Sequence, residues 1–119
     1  MNTPRPLSPE ERALTRWLIQ HGRCDTERYL AQLDQARVHR PCPCGCASVD
    51  FQIGDHPADS TEDFEILSDY IYGDGETSLH GIYLFAQAGL LAGLEIYALH
   101  GEKPHTLPRT EDLRPFEET

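Results

Sequence analysis

Residues 41–102 contain no lysine and no arginine, in a chain of 119 residues. The same span holds eleven Asp and Glu, whereas residues 1–40 hold seven Arg and five acidic residues, and residues 103–119 hold three basic and four acidic ones. The net charge of −10 is thus carried by the middle of the chain. A field of one sign repels nucleic acid and anionic lipid, which excludes both as partners, and it favours a basic protein partner or a cation. The competing account is a solvated acidic surface that keeps the protein soluble.

Long apolar runs are missing as well: none approaches the roughly 20 residues that span a bilayer. The N-terminal Met1-Asn2-Thr3-Pro4-Arg5-Pro6 lacks the basic and then apolar pattern of a secretory signal. The expectation is a cytoplasmic protein, in which thiols stay reduced unless they bind metal or do redox chemistry. There are only four cysteines and no Cys-x-x-Cys pair. No complete catalytic signature is present either. Gly73-x-Gly75 precedes neither a third glycine nor a helix, so it is not a phosphate-binding loop, and the order of carboxylates around it is not that of a twelve-residue calcium loop. The chain is expected not to be an enzyme.

The most conspicuous feature present is Pro41-Cys42-Pro43-Cys44-Gly45-Cys46, which packs three of the four cysteines into five residues. The prolines rule out helix there, and Gly45 supplies any positive φ a bend requires. Downstream, Val49, Phe51 and Ile53 alternate with Ser48, Asp50 and Gln52 in the two-residue period of a half-buried strand. The cysteine segment then reads as the bend of a β-hairpin or of a bulged strand.

Upstream, Ser8 as N-cap, Pro9 at the first helical position and Glu11 placed for a capping box predict a helix running to about His21. Ala13, Leu14, Trp17, Leu18 and His21 mark its buried stripe, with Trp17 in the core, and Gly22 is placed to end it in a left-handed conformation. Asp25 or Thr26 starts a second helix of about three turns carrying Tyr29, Leu30, Leu33 and Ala36. Cys24 lies in the connection and reads as a small, partly buried residue.

Residues 54–63 have loop composition. Phe64–Tyr72 reads as a strand, residues 73–76 as a turn, residues 81–86 as a central strand, residues 88–91 as a turn, and residues 92–99 as a strand in which Leu94, Ile96 and Ala98 oppose Glu95, Tyr97 and Leu99. The sum is one α+β domain spanning 1–119. Two N-terminal helices (about 8–36) pack on a four- to five-stranded antiparallel sheet (about 37–100), followed by an irregular C-terminal strap, 101–119.

The run from Arg37-Val38 through Cys42-x-Cys44-Gly45-Cys46 to Val49-Asp50, with the later strand Gly93-Leu94-Glu95-Ile96-Tyr97, resembles a family of small bacterial cytoplasmic proteins. The likeness extends from the first helix to Leu107-Pro108. It implies that the cysteine cluster and the Gly-Leu-Glu-x-Tyr strand belong to a shared design, and it carries no catalytic residue.

Three kinds of site follow from these residues. Cys42, Cys44 and Cys46 would project to one side of an extended segment and could hold Zn²⁺ or Cu⁺ with His39, Cys24 or His56. Structural zinc sites usually use two cysteine knuckles, and this chain has one, so packing of small thiols under a hairpin competes with that reading. A cysteine nucleophile served by His39 or His56, with Asp50 orienting the imidazole, has no surrounding motif to support it. Asp59, Glu62, Asp63, Glu65, Asp69 and Asp74 form the third candidate, an acidic docking surface for a basic partner. Immunity proteins, which neutralise antibacterial toxins, work in this way, and such an acidic protein-binding domain is the expected function.

Overall fold

The computed structural model describes residues 5–41, 48–54, 56–57, 64–76, 78–102 and 106–115. Cys42, Cys44 and Cys46 therefore lie outside the described residues, as do Asp59, Glu62, Asp63 and the side chain of His56.

The first helix, α1 (Pro9–Gln20), starts as its sequence dictates. The Ser8 hydroxyl accepts from Glu11 N at 3.1 Å, and the Glu11 carboxylate accepts from Ser8 N at 2.8 Å, so two otherwise orphaned amides are satisfied. Glu11 does more than cap: it is buried and receives both guanidinium arms of Arg5, at 2.8 and 2.9 Å. The second helix, α2 (Thr26–Leu33), is capped by Asp25, whose carboxylate accepts from Arg28 N. It stops short of Ala36, which already belongs to a strand.

Gly22 does not end α1 by turning left-handed, since it is not among the positive-φ glycines. It is needed for close approach. A Cβ there would collide with the carbonyl oxygen of Leu67 and stand 2.9 Å from that of Leu18. With hydrogen in its place, the corner between the helices presses on the sheet and Arg23 N donates to Leu67 O at 2.8 Å.

The α+β class is as expected, but the strands outnumber the four or five read from sequence. They are β1 (Arg5–Pro6), β2 (Ala36–Pro41), β3 (Val49–Ile53), β4 (His56–Pro57), β5 (Phe64–Tyr72), β6 (Leu79–Gln87), β7 (Leu90–His100) and β8 (Arg114–Pro115). Seven follow one another in the order β1-β2-β3-β7-β6-β5-β8, with β4 paired to β3, and all the pairings are antiparallel. The additional short strands β1, β4 and β8 have two residues each, one of them proline. Proline donates no ladder hydrogen bond, which confines it to such margins. A short helical turn, Thr110–Asp112, precedes β8 in the strap.

Leu14, Leu18, Ile19, Tyr29 and Leu33 from the helices meet Val38, Phe51, Leu67, Ile82, Leu84, Leu94 and Ile96 from the sheet. Each such side chain contributes about 1.5–3 kcal/mol on burial, so this single interface holds the fold together. Trp17 sits at its margin, half-buried, stacked on His21 at 4.1 Å and edge-on to Tyr70 at 4.9 Å. Ala13, read as part of the stripe, is exposed, and Thr15 is buried instead, its hydroxyl donating to Glu11 O. The turn joining β6 to β7 is two residues long, Ala88 (φ 52°) and Gly89 (φ 80°). Positive φ at both central positions matches the twist of a hairpin. The Gln32 side chain of α2 holds that turn from below: Nε2 donates to Gly89 O at 2.9 Å, and Oε1 accepts from Leu91 N at 2.8 Å.

Candidate functional site

Strand alternation sends Ile82, Leu84, Leu94 and Ile96 to the helices, so Tyr83, Phe85, Glu95 and Tyr97 must face the other way. On β5 the alternation is broken once. Register shifts between Ile66 and Ser68, and Leu67 and Ser68 are both buried. That bulge returns Asp69 to the outer face, directly opposite Tyr83, which in turn is opposite Glu95. Across three strands the outer face therefore carries a row: carboxylate, tyrosine, carboxylate.

Around the row is an aromatic cluster. Tyr83 lies 6.0 Å from Tyr97 and 5.8 Å from Phe85, between ring centroids, and Phe64 lies 5.2 Å from Phe85. Two glycines make this possible. The Tyr97 ring crosses β6 over Gly81 and the Phe85 ring covers Gly93, in each case where a side chain would otherwise stand. Phe64 and Ile66 keep 52% and 47% of their surface exposed on this face, and Leu99 near the end of β7 keeps 46%. Exposed apolar groups gathered beside charges mark interaction surfaces more often than isolated ones do.

Asp69 is the electrostatic focus. Asp69 is exposed, but partial desolvation still pushes its carboxyl pKa up, and a 3.5 Å hydrogen bond from the Tyr97 hydroxyl pulls the other way without cancelling the effect. Among the described residues no cation pairs with it. Burial raises the Tyr83 and Tyr97 phenols too, with the Glu95 and Asp69 charges adding to the first and Asp69 to the second. Asp50 also lies on the outer face, opposite Gly93, but has Arg40 as its register partner on β2. Arg114 of β8 directs its guanidinium to Gly73 O.

The other expected site residues are placed as follows. Glu65 lies opposite the buried Ala86, on the helix side of the sheet, where its charge reaches Cys24 and Tyr29. Asp74 holds a turn, accepting from Glu76 N at 2.8 Å and Ser78 N at 3.0 Å. Glu65 and Asp69 thus lie on opposite faces and Asp74 holds the turn after β5, while Asp59, Glu62 and Asp63 lie outside the described residues. Tyr83, Glu95 and Tyr97, which sequence reading did not assign to a site, are the ones that surround Asp69.

His39 sits at the irregularity of β2, and its Nδ1 meets Gln52 Oε1 at 3.2 Å. An amide oxygen only accepts, so the bond puts a proton on Nδ1, and in the neutral ring Nε2 is then the nitrogen that carries the lone pair. Cys24 is partly buried, with Sγ 3.7 Å from Ile19 O, and burial raises its pKa, which disfavours the thiolate. Among the described residues no group of three or more His, Cys, Asp or Glu could hold a metal ion. No helix among them is long and apolar enough to cross a membrane.

The edge of β5 is guarded. Among the described residues β8 pairs with it at Tyr70 and Ile71, and the bulge and the amide of Arg23 on Leu67 O interrupt the remainder. A cleft of about 360 Å³ opens there, lined by His21, Arg23, Ser68, Asp69, Tyr70 and Pro115 among others. No family model, no curated protein and no solved structure matches this chain.

Proposed function

We propose that this chain is a non-catalytic protein-binding domain that docks a basic partner across the outer face of β5, β6 and β7. One observation carries the reading: Asp69 and Glu95 flank Tyr83 on a partly exposed aromatic face, and residues 41–102 supply no lysine or arginine to neutralise them. Apolar surface provides the area to bury, and unneutralised carboxylates speed encounter with a positively charged surface and select for it. The interrupted edge of β5 disfavours strand addition, so docking is across the face. Blocking a basic enzyme or toxin, as immunity proteins do, is a role that suits this chemistry.

The test is an NMR titration of ¹⁵N-labelled protein with nona-lysine. Shift changes should centre on Asp69, Tyr83, Glu95 and Tyr97, and association should slow on reversing Asp69 and Glu95 to Lys. The same charge change at Glu10 and Glu27, exposed on the helices, should matter less. Binding should also weaken with salt. Equal effects of the two double reversals, or shifts confined to the helix side, would leave the acidity as a solubility device.

A second reading, a small thiolate protein holding Zn or Cu through Cys42, Cys44, Cys46 and His39, is favoured by one contact. The Gln52 bond leaves His39 Nε2 able to ligate, the arrangement in which ligating imidazoles are commonly held. Elemental analysis decides it: about one equivalent of metal in purified protein and a Tm lowered by chelator are expected if metal binding contributes folding energy. A metal-free protein indifferent to chelator would exclude it.

A further inference from the structure

We propose that the row Asp69, Tyr83 and Glu95, with Tyr97 beside it, is a receptor for an arginine side chain of the docking partner. The inference rests on the docking reading and specifies what is read at its centre. Neighbouring strands lie about 4.8 Å apart, so the backbones bearing the two carboxylates are about 10 Å apart with Tyr83 between them. A guanidinium laid over that ring has a carboxylate at each edge. It is planar, donates along two sides and stacks on aromatic faces, whereas an ammonium is a compact, strongly hydrated point charge that meets neither requirement as well.

The surroundings sharpen the preference. Tyr83 and Tyr97 are tilted 51° to each other at 6.0 Å, which makes a notch rather than a closed stack. Phe64 stands edge-on to Tyr83 at 6.2 Å and Phe85 lies beyond, so one wall is apolar and excludes water from a bound cation. The Tyr97 hydroxyl already donates to Asp69, though only at 3.5 Å, and a guanidinium N–H could better that bond without displacing a strong one. Among the described residues, the nearby cations are engaged elsewhere: Arg114 is turned to Gly73 O, and Arg23 lines the cleft at the edge of β5 and has contacts of its own.

Parallel titrations with nona-arginine and nona-lysine at physiological salt test this. Nona-arginine should bind about tenfold more tightly, the scale of one partly desolvated cation–π contact with paired hydrogen bonds. Asp69→Asn, an isosteric change, should weaken both peptides but nona-arginine more, abolishing most of that preference. Tyr83→Leu should do the same, and Tyr97→Phe should retain the preference. If both peptides map to the outer face with equal affinity, or if Asp69→Asn keeps the arginine preference, the receptor is disproved and docking stands. If neither peptide perturbs that face, both readings fail together.

Discussion

The ring of Tyr97 occupies the space that a side chain on Gly81 would take, one strand away, and from there its hydroxyl reaches Asp69 on the next strand. Tyr97 on β7 thereby touches β5 across the whole width of β6. The geometry depends on a hydrogen atom at position 81. Gly93 plays a different part: a Cβ there would stand 2.5 Å from Val49 O, which is backbone, as well as 3.0 Å from the Phe85 ring.

Gly81→Ala and Gly93→Ala should therefore differ. At 81 the obstacle is the far end of a side chain that can swing into solvent, so about 1 kcal/mol or less is expected, together with loss of the Tyr97 contact to Asp69. At 93 the paired strand itself must move, and overpacking of that kind costs about 1–3 kcal/mol. Urea denaturation of both variants checks this, and a larger loss in Gly81→Ala would contradict it.

Asp69 should hold stability down at neutral pH. Because burial raises its folded pKa above the unfolded one, the folded state binds the proton more tightly, and stability rises as pH falls through the folded pKa. Asp69→Asn should match or exceed the wild type in Tm at pH 7, with the wild type gaining on the variant as the solution is acidified. The opposite slope would mean that a cation already pairs with Asp69. A binding residue kept at a cost to the fold is the usual trade at functional surfaces.

The Tyr72 hydroxyl is buried without a hydrogen-bond partner, and burial pushes its pKa up to about 12. Removing an unsatisfied buried hydroxyl is neutral or favourable, so Tyr72→Phe should change stability by between 0 and about +1 kcal/mol. For a phenol raised in the folded state, stability is intact below the ordinary value of 10.0 and is lost as pH climbs toward about 12. The variant should lose less stability than the wild type over that alkaline range. Destabilisation by Tyr72→Phe at pH 7 would show that the hydroxyl is bonded in solution.

Glu11 behaves oppositely. Burial alone would raise its pKa, but hydrogen bonds from Arg5 and from Ser8 outweigh it and hold the carboxyl below 4.5. Its stabilisation is present above the unfolded pKa and is lost as pH falls through the folded one. Arg5→Ala should cost about 1–2 kcal/mol at pH 7, a charge-assisted hydrogen bond discounted for the half-exposed Arg5 side chain. Acid denaturation of the two proteins should converge below the folded pKa of Glu11. Parallel curves would assign the loss to packing.

Local signals were legible in the chain, and relationships across it were not. Ser8 and Glu11 announce α1 because their partners are three residues apart, β3 and β7 announce themselves by alternation, and β6 by its β-branched and aromatic residues. The role of Gly22 does not show in the sequence because the group it accommodates, Leu67 O, is remote along the chain. The carboxylates show the same limit. Glu65 and Asp69 are four residues apart, so simple alternation puts them on one face, but the extra residue at the β5 bulge sends them to opposite faces. The row of Asp69, Tyr83 and Glu95 exists only once strand register is known, and no spacing along the chain encodes it.

Gln32 closes two hydrogen bonds to the β6–β7 turn across separations of 57 and 59 residues. Both need the helical pair and the hairpin to be brought together, so the contact is expected to form late in assembly. Contacts that are absent from the folding transition state govern how fast a protein comes apart more than how fast it forms. Gln32→Ala should accordingly steepen the loss of native lifetime, raising the unfolding rate in a chevron plot while the refolding arm stays where it was. A slowed refolding arm would place the docking of α2 on the hairpin early instead. In that view the side chain that seats the turn is a latch on kinetic persistence, holding β6 and β7, and with them Tyr83, Glu95 and Tyr97, for the time a partner needs to find them.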